Sequence, residues 1–277
     1  MIGVIVAVSA LAATPSQSSA FKVGSTIRDV RIVSATTLPA NPDHHQIDEY
    51  CTDLSPRFDI RPKTVGGRLA VKRGWIVTSE TKLGKFDAVN IVGALDAATS
   101  ATCSHRNGNL AIFDGPLLIA IAFSRHKDNA DELPDSLGFA EQIDPQRIRL
   151  RWGLPGAPIA DVVLRDGFFV ERTQKEDRAC GGDVSIPNIF NLNILKARRK
   201  LLTHGWKPSR SRERVTGVED SALRKGGVAE VEACSGTGYG YCLFSYTNRG
   251  GAGLSVRTAG DEPNVIDYQV GCRSRRR

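Results

Sequence analysis

No stretch of this sequence approaches the roughly 20 consecutive apolar residues that a helix needs to cross a bilayer, so no transmembrane span is expected. No two cysteines form a C-x-x-C pair and none has a histidine at zinc-ligand spacing, which removes the usual signs of a structural zinc. An H-E-x-x-H motif, a Ser/His/Asp set and a catalytic carboxylate pair are likewise missing. No cofactor or metal is therefore expected, and no catalytic residue is assigned. Methionine occurs once against 27 glycines, a balance that points to a chain of strands and loops.

What is present bounds the class. With 277 residues, 41% of them apolar and 24% charged, the chain is a foldable protein with room for two domains. It opens "MIGVIVAVSALAATPSQSSAFK", an uncharged apolar run from Ile2 to Ala13 followed by small and polar residues. Residues 1–20 have the form of a secretory signal peptide, with cleavage expected near Ala13 or Ala20, although the usual basic n-region is absent. A buried N-terminal strand is the other reading. Six cysteines, Cys51, Cys103, Cys180, Cys234, Cys242 and Cys272, make an even set, and in an exported chain they read as three disulfides. The expected location is periplasmic or secreted.

Charge is uneven along the chain. Residues 1–180 hold 21 basic and 21 acidic residues, and residues 181–277 hold 16 and 9. The excess sits in "KARRK" at 196–200, "SRSRER" at 209–214 and the tail "RSRRR" at 273–277. For an exported protein this favours an anionic envelope polymer or a protein partner over nucleic acid.

Periodicity divides the chain. Residues 21–65 read as irregular, with turn signals at Asn41-Pro42-Asp43 and Ser55-Pro56 and strand-like runs "DVRIVSA" and "RFDIRP". From Arg68 the pattern becomes β, with hairpin signals at Asn107-Gly108, Asp114-Gly115 and Asp166-Gly167. In "QRIRLRW", Ile148, Leu150 and Trp152 alternate with Arg147, Arg149 and Arg151, so the arginines form either a solvated face or an anion site. The expected fold class is α+β: an antiparallel β-meander domain at 21–175, a hinge at 176–184, then a basic module at 185–272 with one helix and three or four antiparallel strands, and a basic tail at 273–277. In the helix, Ile194, Ala197 and Leu201 share one face, Asn191 or Asn193 caps the start, and Gly205 follows the end.

The segment "SIPNIFNLNILKARRKLLTHGW" resembles the opening of the PASTA domain family, through Ile186-Pro187-Asn188-Ile189, Ala197, Leu201 and Gly205. The resemblance covers residues 185–206 and implies a short strand, a helix and three strands, with a tendency to bind muropeptides. After Trp206 the family's Gly-x-Val-x-x-Gln-x-Pro segment is absent and cysteines stand in its place.

"ACSGTGYGYC" runs into a strand and carries no lysine, so it is read as a glycine-rich hairpin closed by Cys234–Cys242, with Cys180 or Cys272 as other partners. Candidate ligand contacts are Arg147, Arg149, Arg151, Lys196, Arg199 and Lys200, with Tyr239, Tyr241, Tyr246 and the "WGLPGAPIAD" segment. His44-His45 beside Asp43 is a weak metal signal. The expected function is non-catalytic binding of an anionic or cell-envelope partner by an exported, disulfide-braced protein. A secreted hydrolase of envelope polymers and a protein inhibitor or immunity factor are the alternatives.

Overall fold

A computed structural model describes residues 21–272 except 59, 100–101, 125–135, 154–155, 211–216 and 237. The signal segment expected at 1–20 and the tail expected at 273–277 lie outside the described residues. The first part of the chain runs β1 (Lys22–Ser25), β2 (Val30–Ser34), β3 (Gln46–Ile47), α1 (Glu49–Phe58), α2 (Val65–Lys72), β4 (Ile76–Leu83), β5 (Phe86–Val92), β6 (Ala94–Ala98) and β7 (Thr102–Arg106). It continues with β8 (Asn109–Asp114), β9 (Leu117–Ser124), β10 (Leu137–Asp144), β11 (Arg147–Trp152), β12 (Pro158–Leu164) and β13 (Gly167–Glu171). The second part holds β14 (Glu176–Ala179), β15 (Val184–Pro187), α3 (Ile194–Thr203), β16 (Trp206–Pro208), α4 (Val218–Lys225), β17 (Val231–Cys234), β18 (Cys242–Asn248), β19 (Gly253–Ala259) and β20 (Asn264–Gly271).

The expected α+β class does not hold. Strands make up 51% of the chain and helices 16%, with five sheets and four short helices among the described residues, so the protein is mostly β. Two five-stranded sheets, β1-β13-β12-β11-β10 and β2-β9-β8-β5-β4, share one apolar core. Ile148, Leu150, Val162 and Phe168 enter it from the first sheet, and Leu110 and Ile112 from the second. Alternation sends every second side chain into that core. At the β4–β10 margin the sheets are joined through side chains: Asn90 Nδ2 donates to the Leu137 carbonyl at 3.1 Å, and Thr78 Oγ1 to the Gly138 carbonyl at 2.7 Å. Strand β5 is buried on both faces, because Ala70 of α2 and the following Trp75 pack over the outer side of its sheet in a cluster with Val89, Ile91 and Phe113.

Two helices lie where the sequence pointed elsewhere. The run from Arg68 read as strand, but α2 occupies its first half, since Thr64 caps the helix by accepting the Gly67 N–H at 2.9 Å. Gly66 makes this packing possible: a Cβ there would stand 2.4 Å from the Phe113 ring. The Ser55-Pro56 turn signal falls inside α1, which Asp48 opens by accepting the Tyr50 N–H at 2.9 Å and which Cys51–Cys103 ties to β7. The hairpin signals divide likewise. Asp114-Gly115 and Asp166-Gly167 join paired strands, whereas Asn107-Gly108 passes the chain from the β3-β6-β7 sheet to the large one.

In the second part, β14 pairs with β15, and β18 sits between β19 on one side and β16 and β17 on the other, with β20 beyond β19. Helix α3 packs Ile194, Ala197 and Leu201 into the core beneath this sheet, capped by Asn193 through the Leu195 N–H at 3.0 Å. Gly205, at φ +82°, takes the left-handed turn that ends it. Helix α4 carries no apolar stripe, and Asp220 is its only buried residue.

Three disulfides are present: Cys51–Cys103, Cys180–Cys272 and Cys234–Cys242. The last joins residues directly opposed on β17 and β18, so the glycine-rich hairpin is closed as expected. Loop-closure entropy ranks the bridges by the chain they enclose. Replacing Cys234 and Cys242 with serine is expected to cost about 2.5 kcal/mol, and replacing Cys180 and Cys272 about 4.5 kcal/mol, in denaturant unfolding.

His105 on β7 is almost fully buried, edge-on to Phe139 at 4.8 Å and wedged against Gly138 and Gly153. Burial lowers its pKa from 6.5 to about 4. The unfolded chain therefore binds a proton that the folded one refuses between these values, so stability is complete above pH 6.5 and declines as pH falls toward 4. Denaturant titrations at pH 7 and pH 5 are expected to differ by about 2 kcal/mol, and His105→Asn to remove most of that difference.

Candidate functional site

Strand β11 directs Ile148 and Leu150 into the sandwich and its three arginines to the opposite face. That face is largely covered by the second part of the chain. Arg149 is 1% exposed. Its Nε donates to Asp161 at 2.9 Å, and its two terminal nitrogens donate to Asp177 on β14 at 2.6 and 2.9 Å. Arg147 donates to Asp161 at 3.2 Å. Arg151 lies between Glu141 at 2.9 Å and Asp267 of β20 at 3.0 Å. All three cations are thus paired with carboxylates of the same chain. The segment read as a hinge contains β14, fixed in place by Arg149.

Aromatic rings complete the contact. Phe190 stacks on Tyr268 with centroids 4.4 Å apart, and the Arg149 and Arg151 guanidinium groups lie 5.3 and 5.7 Å from the Phe190 centroid. The Tyr268 hydroxyl donates to Asp177. Burial would raise the Asp177 carboxyl, but the Arg149 hydrogen bond and charge, the Tyr268 hydroxyl and the Arg151 charge outweigh it and hold the group low. Burial raises Asp267, and Arg151 and Arg257 offset this only in part. Burial and the adjacent Asp177 charge raise the Tyr268 phenol, which stays a donor. A cleft of about 410 Å³ remains open beside this network, with Arg178, Gln142 and Gln269 on its walls.

The other expected contacts also turn inward. Tyr239 and Tyr241, rings 5.7 Å apart, pack with Trp152, Ala157, Ala259 and Ile266, so the glycine-rich hairpin and the "WGLPGAPIAD" segment meet each other. Burial raises both phenols. Tyr246 is not exposed: it lies in the core under α3, and its hydroxyl donates to the buried Glu230 at 3.0 Å. Glu230 also accepts from Arg198 at 2.7 Å.

The cations of α3 differ. Lys196 and Arg199 are exposed, and no ion pair engages them among the described residues. Leu195 and Leu202 beside them are 48% and 40% exposed. Lys200 is partly buried and donates to the Asn188 carbonyl at 2.7 Å. His44 and His45 occupy an exposed turn, and no group of three or more metal-ligating side chains occurs among the described residues. No described helix is long and apolar enough to cross a membrane. No family model, curated protein or solved structure matches the chain.

Sequence reading found the arginines and missed their partners. Asp161 was within reach, since it stands on the strand after the arginine row. Asp177, Phe190 and Tyr268 come from three separate segments, and nothing local marks them. Removing one partner of a buried ion pair leaves a charge uncompensated, so Arg149→Met is expected to cost about 3–5 kcal/mol in denaturant unfolding. Arg149→Lys should restore little, because an ammonium cannot fork to two carboxylates. A loss below about 1 kcal/mol for Arg149→Met is the range of an exposed pair and would contradict this lock.

Proposed function

We propose that this is an exported, non-catalytic binding protein that meets an anionic partner at the cell envelope through the outer face of α3. The observation that carries the reading is the contrast between two sets of cations. Those of β11 are neutralised within the fold, whereas Lys196 and Arg199 stand exposed beside Leu195 and Leu202. A cationic helix face with apolar residues among the charges suits an anionic surface that also offers some apolar contact. Three disulfides accord with an oxidising compartment. The N-terminal apolar run supports export to the periplasm or beyond, with cleavage near Ala13 or Ala20.

Co-sedimentation with vesicles tests the reading. The protein is expected to bind vesicles containing phosphatidylglycerol, to ignore pure phosphatidylcholine, and to dissociate as salt shortens the Debye length. Each cation near such a surface contributes about 1 kcal/mol, so Lys196→Glu with Arg199→Glu should weaken binding at least about tenfold. Binding that is equal on both vesicle types, or unchanged in the double variant, would remove α3 as the contact.

A further inference from the structure

The stripe Lys196, Lys200 and His204 recurs every four residues along α3 and ends at a second cleft. This cleft measures about 470 Å³ and is lined by Thr173, Lys175, Glu176, Asn188, Lys200 and His204. Its walls are tied together by one residue. Asn188 Nδ2 donates to Thr173 Oγ1 and to the Gln174 carbonyl, both at 2.8 Å, and the Asn188 N–H donates to the Lys175 carbonyl at 2.8 Å. The Asn188 carbonyl in turn accepts from Lys200 Nζ.

These bonds define what the cleft offers. An ammonium carries three protons, and Asn188 takes one from Lys200, which leaves two for a ligand. His204 Nδ1 lies 2.8 Å from the Lys200 carbonyl. A carbonyl only accepts, so Nδ1 carries the ring proton, and Nε2 faces a ligand as an acceptor suited to a hydroxyl. Lys175 is exposed, and neither lysine is in an ion pair among the described residues. Separate point donors suit a tetrahedral oxyanion, whereas a planar carboxylate is matched by an arginine fork. Glu176 repels a bare anion at the same wall but accepts readily from a hydroxyl.

We propose that this cleft binds the phosphoryl group of a hydroxyl-bearing phosphate ester, with Lys175 and Lys200 on the phosphoryl oxygens and with Glu176 and His204 Nε2 accepting from the ester's hydroxyls. The inference rests on the reading of an anionic partner and gives its anionic group a chemical identity and a place. The soluble probe is glycerol phosphate, titrated calorimetrically into the full-length protein beside inorganic phosphate. Saturable binding of the ester is expected, about fivefold tighter than that of inorganic phosphate, with the preference lost in Glu176→Gln. Lys175→Ala and His204→Gln replace exposed side chains and should each weaken the ester about tenfold. If the ester displaces the protein from phosphatidylglycerol vesicles, a lipid headgroup is the source of the phosphoryl group. If it binds without displacing, a soluble ester is the source, and either result supports the cleft. No saturable titration, or one indifferent to both Lys175→Ala and His204→Gln, overturns the proposal. Vesicle binding by the α3 face is measured separately and can stand or fall alone.

Discussion

A guanidinium removed from water costs several kcal/mol unless its charge and donors are matched. Arg149 is removed almost completely, and its match comes from two distant parts of the chain. Asp161 lies on the neighbouring strand, so half of the compensation forms as soon as the sheet does. Asp177 is contributed by β14, so the other half forms only when the second part of the chain docks on the sheet. Folding the sandwich alone leaves a buried-facing cation short of acceptors, and docking supplies them. The ionic contact also specifies orientation, because a forked donor accepts only one arrangement of its two carboxylates.

Around this contact, polar and apolar layers share the work. Phe190 and Tyr268 shield the arginines from water, which strengthens each ionic contact they cover. At the other margin of the same face, Trp152 and Ala157 meet the paired tyrosines of the glycine-rich hairpin. The Cys234–Cys242 bridge keeps that hairpin in shape without help from its own small residues. These contacts consume the arginines and tyrosines that look most like ligand-binding residues, whereas Lys196 and Arg199 of α3 stay exposed and outside any ion pair among the described residues.

Much of the architecture could be read from local pattern, and the exceptions have identifiable physical causes. Strands β8, β9, β12, β13 and β18 to β20 follow from alternation and glycine turns. Helix α3 follows from its apolar face, its asparagine cap and Gly205. Helices α1 and α2 were hidden because tertiary contacts decide them: a disulfide holds one, and a glycine packed against Phe113 admits the other. The class is mostly β rather than the expected α+β because strands such as β1, β3, β14 and β16, of two to four residues, are too short to show alternation. Of the candidate site, Lys196, Arg199 and Lys200 were legible from charge and spacing. Lys175, Glu176 and His204 were not, since only the docking of 173–176 against the end of α3 brings them together.

The Cys180–Cys272 bridge spans 92 positions and encloses nearly all of the second part of the chain described above, from the end of β14 to the end of β20. That part is consequently a covalent ring with its entrance and exit at the same point. Tension applied through the two chain ends passes across the sulfur–sulfur bond and never reaches β16 to β20, so under mechanical load the sandwich extends while the ring that carries α3 stays folded.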